Sequence, residues 1–321
     1  MRSLLGFLLA IASPVFATSA HAQGRCAEFS ATSTDLRITY DPYLPAMVDR
    51  FFNIQIRQTD PKISGVRILL ADPDPSGPDP LLGVNGVARY DVVWSRDPSR
   101  NVFAMGAEQP NSTNGALIEF SGRGVQKVRS ESFRLRIPAG QDVSAGNYYQ
   151  PLEVRYQCLS GEVDVGVPVV HSGAQLAIDL RVPEKISTFI GSAGVQRGRL
   201  DFGKVDTNGG AISRSLSITA QSTMPYDIDV LSENGALKRF AGDDRKIDYS
   251  LWLSGVPLTS GSRVACNRGI APMGNTHRLR AEIDGREAKA AAAGSYKDTI
   301  TLTFSPRAGL TGGTECTLVS R

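Results

Sequence analysis

The chain has 321 residues, of which 41% are hydrophobic and 21% are charged, and its formal net charge at pH 7 is +3. Basic and acidic residues are interspersed, so the sequence lacks the clustered basic face that nucleic-acid binding requires, and no nucleic-acid partner is expected. The length suits two domains of ordinary size.

Residues 1–22 have the pattern of a secretory signal peptide. Arg2 supplies a basic start, LLGFLLAIA is a short apolar stretch, and Ala20-His21-Ala22 has the form of a cleavage site. The apolar stretch is too short to span a bilayer, although a single-pass anchor is the alternative interpretation. We therefore expect a mature chain that starts at Gln23 and is secreted through the periplasm.

Apolar residues alternate with polar ones along most of the remaining chain, as is typical of half-buried strands. In the first half these segments are Phe52-Ile54-Ile56, Val66-Ile68-Leu70, Tyr90-Val92-Trp94, Phe133-Leu135-Ile137 and Leu152-Val154-Tyr156. In the second half they are Leu216-Ile218-Ala220, Tyr226-Ile228-Val230, Ile247-Tyr249-Leu251, Leu279-Ala281-Ile283 and Ile300-Leu302-Phe304. The one helical candidate, REAKAAAA from Arg286 to Ala293, is short and is interpreted as a loop with a helical turn. The sequence predicts an all-β chain.

One strand pattern occurs twice. AGNYYQPLEVRY runs from Ala145 to Tyr156, and AGSYKDTITLTF runs from Ala293 to Phe304. Other short sequence motifs occur in the same order in both halves. This repeat predicts two tandem immunoglobulin-like β-sandwiches over residues 23–182 and 183–321. The alternative is chance similarity between alternating strands. In such sandwiches a Tyr at this place can form a tyrosine corner, so Tyr148 and Tyr296 are expected to be structural.

Four cysteines lie beyond the signal segment, and an exported chain with an even number of cysteines favours disulfides. Three pairings are possible. The pairs Cys26–Cys158 and Cys266–Cys316 keep each bridge inside one half of the sequence. The absence of a C-x-x-C motif argues against a thioredoxin-like redox site or a zinc knuckle.

The two halves differ in the segment that comes after the repeated pattern. The first copy leads into QLAIDLRV, residues 175–182, which has the alternation of a closing strand. The second leads into the glycine-rich PRAGLTGGTECTLVSR. The second sandwich is therefore predicted to lack its last strand, which would expose apolar core and unpaired backbone along Ile300, Leu302 and Phe304. The alternative is a short strand at 315–319 that completes the sheet.

Four segments of the second half resemble the spore coat protein U family, the pilins of archaic chaperone–usher systems. They are LDFGKV at Leu200–Val205, IDYSLW at Ile247–Trp252, LRAEI at Leu279–Ile283 and AGSYKDTI at Ala293–Ile300. The likeness covers most of residues 186–305. The first half matches only at Ala145–Tyr156, where Gln150 replaces the family's Asp.

This resemblance implies donor-strand exchange, in which an adjacent pilin subunit inserts a strand beside Ile300, Leu302 and Phe304. It also implies a periplasmic pilus chaperone and an outer-membrane usher as partners. The segment QGRCAEFSATS after the signal has no alternating apolar donor pattern, so the chain resembles a two-domain tip adhesin that attaches to an abiotic or host surface. A secreted coat or matrix protein and a carbohydrate-binding module of a secreted enzyme are the other hypotheses.

Apolar residues in three loops of the first half are candidates for contact with a surface. They are Tyr43, Leu44, Leu81, Leu82, Val102, Phe103 and Met105. The alternative is that these residues pack beneath their loops as small extensions of the core.

No motif indicates catalysis or a cofactor. Only His171 and His277 lie beyond the signal segment, and neither G-x-S-x-G nor H-E-x-x-H occurs. Asp72-Pro73-Asp74-Pro75-Ser76-Gly77 begins like a calcium-binding loop, but Gly83 stands where a Glu ligand would be needed. We expect neither an enzyme nor a metal site.

Overall fold

The computed structural model describes residues 25–31, 35–72, 81–82, 88–104, 106–120, 127–205, 210–240, 244–308 and 316–319. The fold over these residues is almost entirely β, as predicted. In the first half the strands are β1 (Ala27–Ala31), β2 (Asp35–Thr39), β3 (Val48–Gln58), β4 (Gly65–Ala71), β5 (Leu81–Leu82), β6 (Ala88–Arg89), β7 (Asp91–Trp94), β8 (Asp97–Asn101), β9 (Ala116–Glu119), β10 (Val128–Ile137), β11 (Gly146–Ser160) and β12 (Val163–Val182).

Ten of these strands build a sandwich of two five-stranded sheets, and β5 and β6 form a separate two-stranded sheet. One sheet has the order β1-β3-β10-β7-β8 and the other has the order β2-β12-β11-β4-β9. Their alternating apolar residues face each other and form one continuous core that includes Ile54, Ile68, Phe133 and Tyr156. β12 pairs antiparallel with β11 and parallel with β2, so it lies inside its sheet and completes it.

The second half carries the remaining elements. They are β13 (Ile186–Ile190), β14 (Ile212–Ser222), β15 (Tyr226–Ser232), β16 (Leu237–Arg239), β17 (Lys246–Ile247), β18 (Ser250–Leu253), β19 (Val256–Leu258), β20 (Arg263–Cys266), β21 (Asn275–Ile283), α1 (Gly285–Ala290), β22 (Tyr296–Lys297), β23 (Ile300–Pro306) and β24 (Thr317–Leu318). The main sheets have the orders β13-β14-β21-β18-β19 and β23-β15-β20-β24, and they pack around a separate core. A small sheet, β17-β16-β22, lies beside them.

Helix α1 occupies part of the alanine-rich segment that was interpreted as a loop with a helical turn. Asp284 caps it by accepting a hydrogen bond from the Arg286 backbone N–H at 2.9 Å. Ala288 is buried against Ile283, which explains why one short turn of helix is retained here.

Both halves contact each other at one end of the first sandwich. The Tyr43 hydroxyl donates to the Ser222 carbonyl at 2.8 Å and accepts from the Ser222 N–H at 3.1 Å. Arg268 pairs with Asp142, whose carboxylate also accepts the Ala271 N–H at 3.1 Å. Partial burial opposes ionisation of Asp142, but its hydrogen bonds from Arg268 and Ala271 outweigh burial and lower the pKa of this carboxyl.

Candidate strand-acceptor groove and binding surfaces

Strand β23 lies at the edge of its sheet in the second sandwich. One side of β23 pairs antiparallel with β15, with Ile228 opposite Phe304 and Val230 opposite Leu302. Among the described residues, no strand pairs with the other side of β23. Its outer backbone edge is therefore open within the part of the chain that the structure describes.

The equivalent strand of the first sandwich, β11, is covered. Leu152, Val154 and Tyr156 on β11 are at most 4% exposed, because β12 lies alongside them. The matching residues of the second copy, Ile300, Leu302 and Phe304, are all partly exposed. The same alternating pattern is thus buried on β11, where β12 pairs alongside it, and partly exposed on β23, where no described strand pairs with the outer edge.

The open side of β23 faces a second sheet edge, because β13 is the outermost strand of the opposing sheet. Partly buried apolar side chains on both sheets, and on the segment between β13 and β14, pack against the core of this sandwich. They are Ile186, Ile190, Leu200, Phe202, Leu216, Ile300, Leu302 and Phe304. We call this set of residues the groove. Two neighbouring open edges with apolar side chains between them are the arrangement that an added strand would complete.

The alternative closing strand at 315–319 is present but lies elsewhere. Thr317 and Leu318 form β24, which pairs with Ala265 and Val264 on β20, at the edge of the sheet opposite to β23. Cys316, which is joined to Cys266, holds this segment next to β20. The alternative of a short strand at 315–319 is therefore met in part, because Thr317 and Leu318 extend the sheet at β20 but leave the outer edge of β23 unpaired among the described residues.

A hydrogen-bonded carboxylate holds the start of β23. Asp298 accepts hydrogen bonds from the Tyr249 hydroxyl at 2.6 Å and from the backbone N–H groups of Asn234 and Thr299 at 3.0 and 2.8 Å. It also accepts one from the Ser232 hydroxyl. Burial works against its ionisation, yet these donors prevail and lower the pKa of Asp298. Gln150 stands at this position in the first copy. Among the described residues, its side-chain amide donates only to the Pro151 carbonyl, at 3.4 Å.

Tyr148 and Tyr296 make the same contact in the two halves. Each hydroxyl donates to the carbonyl four residues earlier, Ser144 at 2.9 Å and Ala292 at 2.8 Å. This is the geometry of a tyrosine corner and supports a structural role for both residues.

The apolar loop residues that were candidates for surface contact do not form one surface. Val102 and Phe103 are 0% and 3% exposed and belong to the core. The Val102 N–H donates to the Val92 carbonyl, and the Val102 carbonyl accepts from the Leu70 N–H, which holds this loop between the two sheets. The prediction that these two contact a surface is wrong. Tyr43 is half-buried where the two halves meet, so its placement on a free surface is also wrong.

Of the remaining candidates, Leu44 alone has a described side chain. Leu44 is 53% exposed beside the contact between the halves. Leu81 and Leu82 form β5, which pairs with β6, and their side chains are not among those described. Met105 and most of the Asp72–Gly83 segment lie outside the described residues.

An exposed apolar stripe occurs at a place that the candidate loops do not include. Val163, Val165 and Val167 alternate along the start of β12, and all three are exposed, with Val163 at 68%. The β11–β12 turn lies at the end of the first sandwich away from the contact with the second, as shown by the pairing of Gly146 with Val182 at the other end. The Val-x-Val-x-Val pattern was visible in the sequence, but exposure of its apolar face was not.

The structure joins Cys26 to Cys158 and Cys266 to Cys316, the pairing that keeps each bridge in one half. His277 lies near the second bridge, and the potential ligand atoms of Cys266, His277 and Cys316 are all within 4.8 Å of one another. The two sulfurs are bonded to each other and are therefore not thiolate ligands for a metal. Among the described residues, no helix is long and apolar enough to cross a membrane.

No known family model matches the sequence, and no curated protein matches it. Three solved structures similar to this chain are the complex of the chaperone CsuC with the tip adhesion subunit CsuE from archaic chaperone–usher Csu pili of Acinetobacter baumannii, the adhesive subunit CfaE of CFA/I fimbria of enterotoxigenic Escherichia coli, and the CupB6 tip adhesin of Pseudomonas aeruginosa. Their sequence identities are 13%, 15% and 10%, and their TM-scores are 0.38, 0.38 and 0.41. The matches cover 86%, 91% and 87% of this chain and 99%, 84% and 94% of the others. Because every TM-score is below 0.5, function is inferred from the geometry of the groove instead.

Proposed function

We propose that this protein is the tip adhesin subunit of an archaic chaperone–usher pilus. The observation that carries the proposal is the open edge of β23 beside Ile300, Leu302 and Phe304. A neighbouring pilin subunit completes the second sandwich by inserting a strand there. Before assembly, a periplasmic chaperone protects the same edge and an outer-membrane usher receives the subunit.

The first sandwich indicates how the inserted strand would lie. β12 runs antiparallel to β11, with Leu180 opposite Tyr148, Leu176 opposite Leu152 and His171 opposite Val154. Transferred to the second copy, these pairings would set Leu180 of a donor opposite Tyr296, Leu176 opposite Ile300 and His171 opposite Leu302, with a register shift between the last two. Backbone hydrogen bonds to the open edge and burial of alternate side chains would together stabilise the complex.

A position at the tip is supported by β1, because the first sandwich includes this strand in one of its own sheets. β1 pairs with β3 over its full length, from Ala27 opposite Gln58 to Ala31 opposite Ile54. The adjoining Cys26 is bonded to Cys158. Since this segment is part of its own sandwich, it is not a donor strand for another subunit. A subunit that accepts a strand and donates none belongs at the end of a fibre.

Attachment is then the role of the first sandwich, which β12 completes. Its exposed apolar stripe, Val163, Val165 and Val167, suits contact with an apolar abiotic or host surface. The stripe lies away from the second sandwich, so a surface could be reached without disturbing the groove.

A peptide experiment tests strand acceptance. Residues 169–182 of this chain, VVHSGAQLAIDLRV, are synthesised as a donor and added to the mature protein from residue 23 onward. We expect saturable binding, conversion of aggregated protein to monomer, and a higher melting temperature for the second half. At one hundred times Kd, binding of a ligand only to the folded state adds about 2.7 kcal/mol of stability.

Matched controls separate strand insertion from general stickiness. A peptide with Leu176, Ile178 and Leu180 replaced by Ser should not bind. Leu302→Asp, inside the groove, should abolish binding, whereas Thr301→Asp, on the opposite and exposed face of β23, should retain it. A protein that is monomeric and stable alone, and that binds neither peptide, would rule out strand acceptance.

A further inference from the structure

A cleft lies at the side of the first sandwich, away from both the groove and the exposed valines. It is lined by Trp94, Arg96, Arg100, Leu117 and Glu119 and has a volume of about 310 Å³. β8 and β9 are the outermost strands of their two sheets on this side, so the cleft lies between two sheet edges. An indole, two guanidinium groups and a carboxylate line this cleft.

A buried acid organises the inner end of this cleft. The Glu131 carboxylate is 2% exposed, and it accepts hydrogen bonds from Arg96 Nη2 at 2.6 Å and from Trp94 Nε1 at 3.3 Å. Burial of a carboxylate is costly unless it is paired and hydrogen-bonded. Glu131 therefore orients Trp94 and Arg96 together, while most of Arg96 remains exposed to a ligand.

The rest of the cleft presents further polar groups at fixed positions. Arg100 Nη1 donates to the Gly115 carbonyl at 2.9 Å, and its Nε lies 3.5 Å from the Asp97 carboxylate. A guanidinium has five N–H groups, so these contacts leave capacity for a ligand. Glu119 is exposed, whereas Leu117 is partly buried and adds an apolar contact.

These features select a class of ligand. A half-buried indole binds a ligand with an apolar face, and the guanidinium and carboxylate groups bind a rim of hydroxyls that both donate and accept hydrogen bonds. The pairs Arg96–Glu131 and Arg100–Asp97 balance each other, and Glu119 adds one negative charge to the lining, which disfavours an acidic ligand. Ligand pockets usually measure about 300–1,000 Å³, so this small cleft suits a compact unit and not an extended peptide.

We propose that the cleft binds one neutral sugar residue of a glycan, with its C–H face against Trp94 and its hydroxyls on Arg96, Arg100 and Glu119. The assignment of this binding to attachment rests on the adhesive role proposed above, but sugar binding itself is independent of strand insertion. The first sandwich would then carry two different contact surfaces, an apolar stripe and a polar cleft.

Tryptophan fluorescence provides a direct test, because the chain has only two tryptophans, Trp94 and Trp252. Trp252 lies in the second sandwich under Arg280, whose guanidinium carbon is 4.1 Å from the ring centroid. In a Trp252→Phe protein, Trp94 is the sole reporter. It is titrated with the methyl glycosides of glucose, galactose, mannose, fucose, N-acetylglucosamine and N-acetylgalactosamine, and with glucuronic acid as the charged comparison.

We expect a saturable emission change with at least one neutral glycoside and a weaker response to glucuronic acid. Arg100→Gln and Glu119→Gln should each raise Kd at least fivefold, and the matched Trp94→Phe protein, which retains Trp252, should show no saturable change. Arrays of animal glycans and a separate panel of microbial polysaccharides then distinguish the two sources of the sugar.

Two results would overturn the proposal. One is the absence of a saturable response to every neutral glycoside by a protein that still binds the donor peptide. The other is unchanged affinity in both the Arg100→Gln and Glu119→Gln proteins, which would place the sugar elsewhere. Since the donor peptide and the glycosides bind different halves, failure of strand acceptance leaves the sugar result interpretable.

Discussion

The Tyr226 hydroxyl lies 2.6 Å from Nε2 of His277 in the interior of the second sandwich. Both residues are buried, and burial lowers the pKa of His277 to about 4 and raises that of Tyr226 to about 12. The two rings pack against Phe304, with centroid distances of 6.3 Å for His277 and 6.0 Å for Tyr226. A neutral, hydrogen-bonded pair therefore supports the strand that lines the groove.

This pair predicts a pH dependence of stability. His277 titrates near 6.5 when unfolded and near 4 when folded, so between these values the unfolded state binds a proton that the folded state does not. The free energy of unfolding of the second half should be highest above pH 6.5. It should fall by up to about 1.4 kcal/mol per pH unit as the pH drops towards 4.

Denaturant unfolding between pH 7.5 and 5 measures this effect above the range in which most carboxylates titrate. A His277→Gln protein should lose most of the slope, and His171→Gln, in the first half, is the matched control that should keep it. An equal slope in the His277→Gln protein and the parent would show that another group is responsible.

The two disulfides should stabilise their own halves. In the chain-entropy model, bridges that close sequence separations of 132 and 50 residues contribute about 5 and about 4 kcal/mol, respectively. Replacing Cys26 and Cys158 together by Ser should therefore lower the melting temperature of the first half. Peptide mapping without reduction should recover the pairs Cys26–Cys158 and Cys266–Cys316, and a Cys158–Cys266 peptide would contradict the organisation into two halves.

Val102 and Phe103 should behave as core residues. Because both are buried, Val102→Ser and Phe103→Ser should each lower the free energy of unfolding by about 2–4 kcal/mol. Leu44→Ser, at an exposed residue of another candidate loop, should change it by less than about 0.5 kcal/mol. Urea unfolding of the three variants makes the comparison, and a near-neutral Phe103→Ser would restore its candidacy as a contact residue.

The exposed valines should affect attachment without affecting folding. A protein with Val163, Val165 and Val167 all replaced by Ser should adhere less to polystyrene, because the apolar face of its β12 is lost. Its melting temperature should stay within a few degrees of that of the parent, since these side chains are already in solvent. Replacing the exposed Val195 of the second half by Ser is the control, and equal adhesion of the triple variant and the parent would exclude the stripe.

Much of the architecture is encoded locally and could be predicted. Alternation at Phe133-Leu135-Ile137 or Leu152-Val154-Tyr156 specifies which side chains share a face, because successive residues of a strand point to opposite sides. The repeated A-G-x-Y pattern likewise placed Tyr148 and Tyr296, whose hydrogen bonds span only four residues. The glycine-rich tail after Phe304 predicted that the second copy lacks a strand comparable to β12, and no described residue pairs with the outer edge of β23.

Contacts between distant segments could not be predicted in this way. Nothing local distinguishes the buried Phe103 from the exposed Leu44, because burial depends on which strands cover a loop. The cleft at Trp94 joins β7 and β8 to β9 and Glu131, which are brought together by sheet packing alone.

By itself, the sequence determined the β character and the alternating faces, because each depends on residues a few positions apart. Only the tertiary structure decided that Thr317 and Leu318 pair with β20 and that the edge of β23 stays open among the described residues. Strand order is set by long-range backbone pairing and by the Cys266–Cys316 bridge, and neither has a signature within a single segment.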